Sequence, residues 1–117
     1  MKRILTNVDL ASNTTQQVAF SGRVLQLKIL WNEPSGAFFM DISDGLGGSI
    51  QGLRLVENFP ILANNKAFID FSGDVLVLRE DSSSEEVITY SNFGVSWVPY
   101  LVTAEELEAW RLSNGLG

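Results

Sequence analysis

Leu30-Trp31-Asn32-Glu33-Pro34-Ser35-Gly36-Ala37-Phe38-Phe39-Met40-Asp41-Ile42-Ser43-Asp44-Gly45 is the stretch whose reading decides the fold. Side chains alternate with period two along a strand, so Leu25, Leu27, Ile29 and Trp31 fall on one face of the run before the turn. Phe38, Met40 and Ile42 share a face in the run after it. Paired as a hairpin through Asn32-Glu33-Pro34-Ser35-Gly36, the two runs present matching apolar faces. The second strand then ends in Asp44-Gly45-Leu46-Gly47-Gly48, an acidic reversal whose glycines permit positive φ.

Outward from this hairpin the pattern stays extended. Arg3 to Val8 reads as a first short strand, Ala11 to Thr15 as a loop and Gln16 to Phe20 as a second strand. Ser21-Gly22 turns the chain into Arg23–Trp31, the longest alternating run. Beyond the glycine reversal, Ser49 to Leu55 is extended, and Gly52 inside it marks a bulge or a close backbone approach. Residues 56–66 read as a loop with one helical turn, and Ala67–Phe71 as a short strand. Ser72-Gly73-Asp74 leads into Val75–Leu78, a compact apolar strand. Glu80–Glu86 has the polarity of a hairpin tip, with Val87–Tyr90 as the returning strand. Phe93–Val102 is the last strand, and Pro99 within it implies an edge position or a bulge.

At Thr103 the period changes. Thr103-Ala104-Glu105-Glu106 fits a capping box, with Thr103 as N-cap and Glu106 reaching back to it. Both glutamates also sit where the helix dipole favours negative charge. The helix runs to about Leu112 and stops at Ser113-Asn114-Gly115. A helix this short is marginal alone, so it must dock through Leu107, Trp110 and Leu112, either on its own sheet or on a neighbouring subunit. The fold class is therefore all-β: a small antiparallel β-barrel or β-sandwich of about seven to nine strands with one short C-terminal helix. Residues 1–102 form the β-domain, and residues 103–117 the helix and tail.

The 117 residues suit one domain, and a chain of this size buries roughly two thirds of its unfolded surface without staples. Cysteine and histidine are both absent, which removes thiolate chemistry and the side chain most used as an acid or base near neutral pH. No apolar run is long enough to span a bilayer, and Met1–Leu5 does not read as a secretion signal. The net charge of −6 is lopsided. Residues 1–79 balance, while residues 80–117 carry seven acidic side chains against Arg111 alone. No basic stripe is present for phosphates, which argues against nucleic-acid binding. The acidic third is either a solvated surface or faces a basic neighbour in an assembly.

Candidate chemistry is sparse. Asp41-Ile42-Ser43-Asp44-Gly45 invites a calcium reading, but an EF-hand loop starting at Asp41 would need glutamate where Gly52 stands, and helices where the sequence has strands. Gly45-Leu46-Gly47-Gly48 lacks the Gly-Lys-Ser/Thr of a phosphate loop and reads as a hairpin turn. Asp81–Glu86 holds carboxylates and hydroxyls without a base to activate a serine. The tryptophans and phenylalanines would suit a sugar platform, yet most fall on alternating core positions. No catalytic residue, metal or cofactor is implied.

In combination these elements resemble the bacteriophage baseplate plug family, small all-β proteins of contractile-tailed phages. The resemblance lies in Gln17-Val18-Ala19-Phe20, Ser21-Gly22-Arg23 and the Val24-to-Leu30 run into Trp31-Asn32. It continues through Gly36, Phe38-Phe39, Asp41-Ile42-Ser43-Asp44 and Gly52-Leu53-Arg54-Leu55. Gly73-Asp74-Val75-Leu76-Val77 and Asn92-Phe93-Gly94 complete it, over about residues 4–102. Tryptophan is common in the family where Phe38 or Phe39 stands, and many members end near the last strand, so the Thr103–Gly117 helix is not explained by the resemblance.

The resemblance implies a structural plug in the virion tail baseplate, made in the host cytoplasm. It would sit near the tail axis, in several copies of a symmetric assembly, against hub, tube or sheath-initiator and wedge proteins. It implies no enzyme activity and no nucleic-acid or membrane partner. The competing readings are a free β-barrel module that binds a carbohydrate or peptide, and a small metal-dependent hydrolase, which would need carboxylates gathered in space.

Overall fold

Strands β3 (Arg23–Asn32) and β4 (Ala37–Ser43) form the expected hairpin, with Ile29 opposite Met40 and Leu27 opposite Ile42. The connection is tied by Gly36 N donating to Asn32 O at 2.8 Å and Ser35 N donating to Asn32 Oδ1 at 2.9 Å. Gly36 takes a positive φ of 65°, which a side chain would resist. Leu25, Leu27, Ile29, Phe38, Met40 and Ile42 are all buried, as the alternation requires. The structure is a computed structural model that describes residues 1–4, 14–20, 22–63, 71–80 and 86–113.

Among the described residues there are two antiparallel sheets and one helix. Strand β2 (Thr14–Phe20) pairs with β3, and β5 (Ser49–Arg54) pairs with β4, giving the order β2-β3-β4-β5, here called sheet B. Strands β1 (Lys2–Arg3), β6 (Asp74–Arg79) and β7 (Trp97–Val102) form sheet A, in the order β1-β7-β6. The sheets stack as a sandwich and do not close into a barrel. Leu25, Leu27 and Ile29 of one sheet meet Val75, Val77, Trp97 and Leu101 of the other in a single core. The helix α1 (Ala104–Ser113) follows β7 after Thr103 alone.

Several details follow the sequence and others correct it. The β4–β5 register shifts between Met40 and Ile42, and Gly52 has a φ of 72°, so the bulge expected at that glycine is present. Of the strand expected at Arg3–Val8, Arg3 lies in β1 and Ile4 follows it outside the strand, while residues 5–8 lie outside the described residues. The strand expected at Ala67–Phe71 also lies outside them, except for Phe71, which is buried but not in a strand. Of the 56–66 loop, residues 56–63 are described, and there Ala63 N donates to Pro60 O in a single short turn; residues 64–66 lie outside the described residues.

Val87–Tyr90 is not a strand, because β6 pairs with β7 rather than with residues 87–90, and the hairpin tip expected at Glu80–Glu86 lies, from 81 to 85, outside the described residues. The reason is local competition for backbone groups. Asn92 Oδ1 accepts from Thr89 N at 2.7 Å, and Asn92 Nδ2 donates to Val87 O at 2.9 Å. Asn92 O also accepts from Val95 N and Ser96 N, which turns the chain and delays the last strand from Phe93 to Trp97.

Pro99 sits in the middle strand of sheet A, contrary to the edge or bulge expected of it. Pro99 O accepts from Ile4 N at 2.9 Å, so the residue turns its polar groups toward β1. A strand residue points its nitrogen and its carbonyl to the same side. The nitrogen that lacks a proton thus faces the side where β1 has already ended, and the β6–β7 ladder continues past it.

Candidate protein interface

Sheet A has a second apolar face. Alternation places Val75 and Val77 in the main core and turns Leu76 and Leu78 away from it, together with Tyr100 and Val102 of β7. Helix α1 covers this outer face: Leu107 is buried against Leu76 and Val102, with Trp110 half-buried beside them. Burying a leucine contributes about 1.5–3 kcal/mol, and a ten-residue helix is marginal in water by itself. Docking through Leu107 and Trp110 therefore holds α1 in place.

The start of the helix is built by its sequence. Thr103 N donates to Glu106 Oε1 at 3.0 Å, and Glu106 N donates to Thr103 Oγ1 at 3.1 Å, the reciprocal bonds of a capping box. The Met1 amine also pairs with Glu106 Oε2. The hydrogen bond from that amine, and then the one from the Thr103 backbone, hold the Glu106 carboxyl below its usual value of 4.5. Glu105 and Glu106 lie in the first turn and Arg111 in the last, the signs that the helix dipole favours. On the sheet beneath, the Tyr100 hydroxyl donates to Glu80 Oε1 at 2.7 Å. That bond, with burial second, raises the phenol above its usual 10.0.

The three residues expected to dock the helix part company. Leu107 points into the molecule, Trp110 sits at the boundary, and Leu112 is 67% exposed. Met1 and Trp110 line a depression of about 350 Å³ with Glu106, Ala109 and Ser113. The exposed side of α1 thus carries the aliphatic side chain of Leu112 and the carboxylates Glu105 and Glu108, with Trp110 at the inner boundary.

The acidic loop of the central hairpin holds turns. Asp44 Oδ1 accepts from Leu46 N at 2.7 Å and Gly48 N at 3.0 Å, and Asp41 Oδ1 accepts from Gly52 N at 2.8 Å. The glycine run 45–48 lies in the β4–β5 connection. Among the described residues, no three side chains of the types His, Cys, Asp or Glu gather where they could hold a metal ion. Asp81–Glu85 lies outside the described residues. Among the described residues no helix is long and apolar enough to cross a membrane.

Two features escaped the sequence reading. Asp74 is fully buried, and its Oδ1 accepts from Leu62 N at 2.9 Å and Val75 N at 2.7 Å, pinning the 60–63 turn to β6. An aspartate directly before an apolar run was the available signal. The second is an aromatic cluster: Phe38 stacks on Phe93 at 4.2 Å, and Trp31 meets Phe38 at 4.8 Å and Tyr90 at 5.2 Å. With Glu57 Oε2 accepting from Ile88 N at 2.8 Å, this cluster seats residues 86–96 on the central hairpin. Nothing in strand periodicity marks such a contact.

The family model described as "Cyanophage baseplate Pam3 plug gp18" matches residues 1–105. The matched stretch takes in both sheets and stops in the first turn of α1. No curated protein matches the chain.

Proposed function

We propose that this chain, which belongs to the cyanophage baseplate plug family, packs near the axis of a contractile tail baseplate against hub and tube-like proteins. Family membership gives it a structural role in the virion baseplate. The axial position, the neighbours and the symmetric copy number are our reading, as is synthesis in the host cytoplasm before assembly. The observation that carries the reading is the extent of the family match, which spans the whole sandwich. In this role the protein works by occlusion and adhesion, and no catalytic step is needed.

The helix is the surface we assign to a neighbour. Trp110 and Leu112 present apolar area outside the main core, and Leu107 anchors the helix from which they project. Glu105 and Glu108, on the same exposed side of the helix as Leu112, favour a partner with basic groups. Phe38, Phe93 and Trp97 lie inside the core, which withdraws them from the sugar platform of the alternative reading.

Cross-linking mass spectrometry of purified virions tests the assignment through the amines of Lys2 and Lys28. Links to hub and tube subunits are expected. Absence of the chain from virions, or links confined to peripheral wedge proteins, would overturn it.

A further inference from the structure

We propose that α1 is exchangeable between copies of this chain, so that the helix of one copy covers the outer face of sheet A of the next. This rests on the reading of the protein as a baseplate component present in several copies. Three observations carry it. First, β7 ends at Val102 and α1 begins at Ala104, so Thr103 is the whole connection and can serve as a hinge. Second, both Thr103–Glu106 bonds lie within residues 103–106, so the cap travels with the helix when the chain turns at the Val102–Thr103 junction, and the bond from the Met1 amine to Glu106 is the polar contact that must be remade. Third, the face beneath requires a cover, since Leu76 and Val102 are fully buried there, while the helix buries Leu107 alone among its residues.

A weakly held helix over a strongly apolar face is easily lifted but must be replaced. A second copy supplies an identical replacement: the contacts of Leu107 and Trp110 with Leu76, Leu78, Tyr100 and Val102 are remade between chains. The unexchanged and exchanged forms then differ mainly in hinge geometry and in the entropy of association. The high local concentration of an assembly favours exchange. Passed in one direction from copy to copy, the helix makes a heterologous contact, which builds rings where the rotation closes.

The natural chain has no cysteine, so engineered thiols report the exchange without background. Full-length Leu76→Cys and Leu107→Cys chains are mixed at rising concentration and oxidised, with the doubly substituted chain as the control for closure within one molecule. Exchange predicts a mixed disulfide dimer joining position 76 of one chain to position 107 of the other, its yield rising with concentration. Internal closure of the double variant without any mixed dimer overturns the proposal. Light scattering of the unsubstituted chain is the second measurement, and it covers the case in which neither disulfide forms. Concentration-dependent oligomers that Leu107→Ala dissolves support exchange. A monomer at every concentration, or oligomers that Leu107→Ala leaves intact, contradicts it. Exchange in a chain missing from virions would refute the baseplate reading alone, and a virion chain without exchange would refute this inference alone.

Discussion

Thr103 and Glu106 bond to each other twice, backbone to side chain in both directions, at 3.0 Å and 3.1 Å. This reciprocal pair is where the β-sandwich ends and the helix begins. Thr103→Ala removes one bond and exposes a helix N–H, so it should cost about 1 kcal/mol. Chemical denaturation of the two proteins checks this, and an unchanged midpoint would mean that the cap contributes nothing to the whole domain.

The same pair sets a pH dependence. Because the Glu106 carboxyl is held below its usual 4.5 in the folded chain, its ionised form stabilises the fold above that value. The contribution is lost as pH falls through the lowered folded value. The melting temperature of Glu106→Gln should therefore lie below wild type at neutral pH, with the gap closing as pH drops below about 4.5. A gap of constant size down to strong acid would show that the charge of Glu106 is not the cause.

Tyr100 gives the opposite sign. Its phenol is raised above 10.0 chiefly by donating to Glu80, so the bond stabilises the fold below that value and is lost as pH rises through the raised folded value. Tyr100→Phe should cost about 1 kcal/mol near neutral pH, and the difference should vanish at strongly alkaline pH. Unfolding curves over that range decide it.

These polar bonds bear on how much the sequence disclosed. The hairpin around Asn32–Gly36, the bulge at Gly52 and the helix cap at Thr103 all depend on neighbours a few residues apart or on strict alternation, and all were legible. The run Val87–Tyr90 looked extended because its composition is. Asn92 and the ring of Tyr90 overrode that tendency through a side-chain turn and a contact with Trp31. Pro99 misled because the rule that confines proline to edges assumes two full neighbours, and β1 is too short to be one. At the candidate interface, the sequence supplied Leu107, Trp110 and Leu112 as one apolar set. Helical spacing separates them: Leu107 and Trp110 lie three residues apart on one face, whereas Leu112, five residues from Leu107, falls on the other side and is exposed, a distinction that grouping the three by apolar composition passes over.

Gly73 and Val102 are close enough to forbid a side chain. A Cβ built on Gly73 would lie 2.0 Å from the Val102 carbonyl oxygen and 2.7 Å from the Phe71 ring. Gly73→Ala must push β7 away from β6 and should destabilise the protein by about 1–3 kcal/mol or more. A melting temperature within a degree or so of wild type would mean that the sheet yields at this point.

Trp110 separates assembly from folding. It is half-buried at the edge of the smaller cluster, so Trp110→Ala should lower the stability of the isolated chain modestly, by about 1 kcal/mol. Incorporation into particles should fall far more. Quantitative immunoblotting of virions beside thermal melts of the purified chain gives both numbers. A large loss of monomer stability with proportionate loss of incorporation would make α1 part of the domain's own packing and nothing more.

The axial position is tested most directly by cryo-electron microscopy of the intact tail baseplate. The account predicts density for the two stacked sheets beside the tail axis, in symmetric copies, with α1 at a contact between chains. The same sandwich found on the baseplate periphery, or with α1 pointing into solvent, would contradict it.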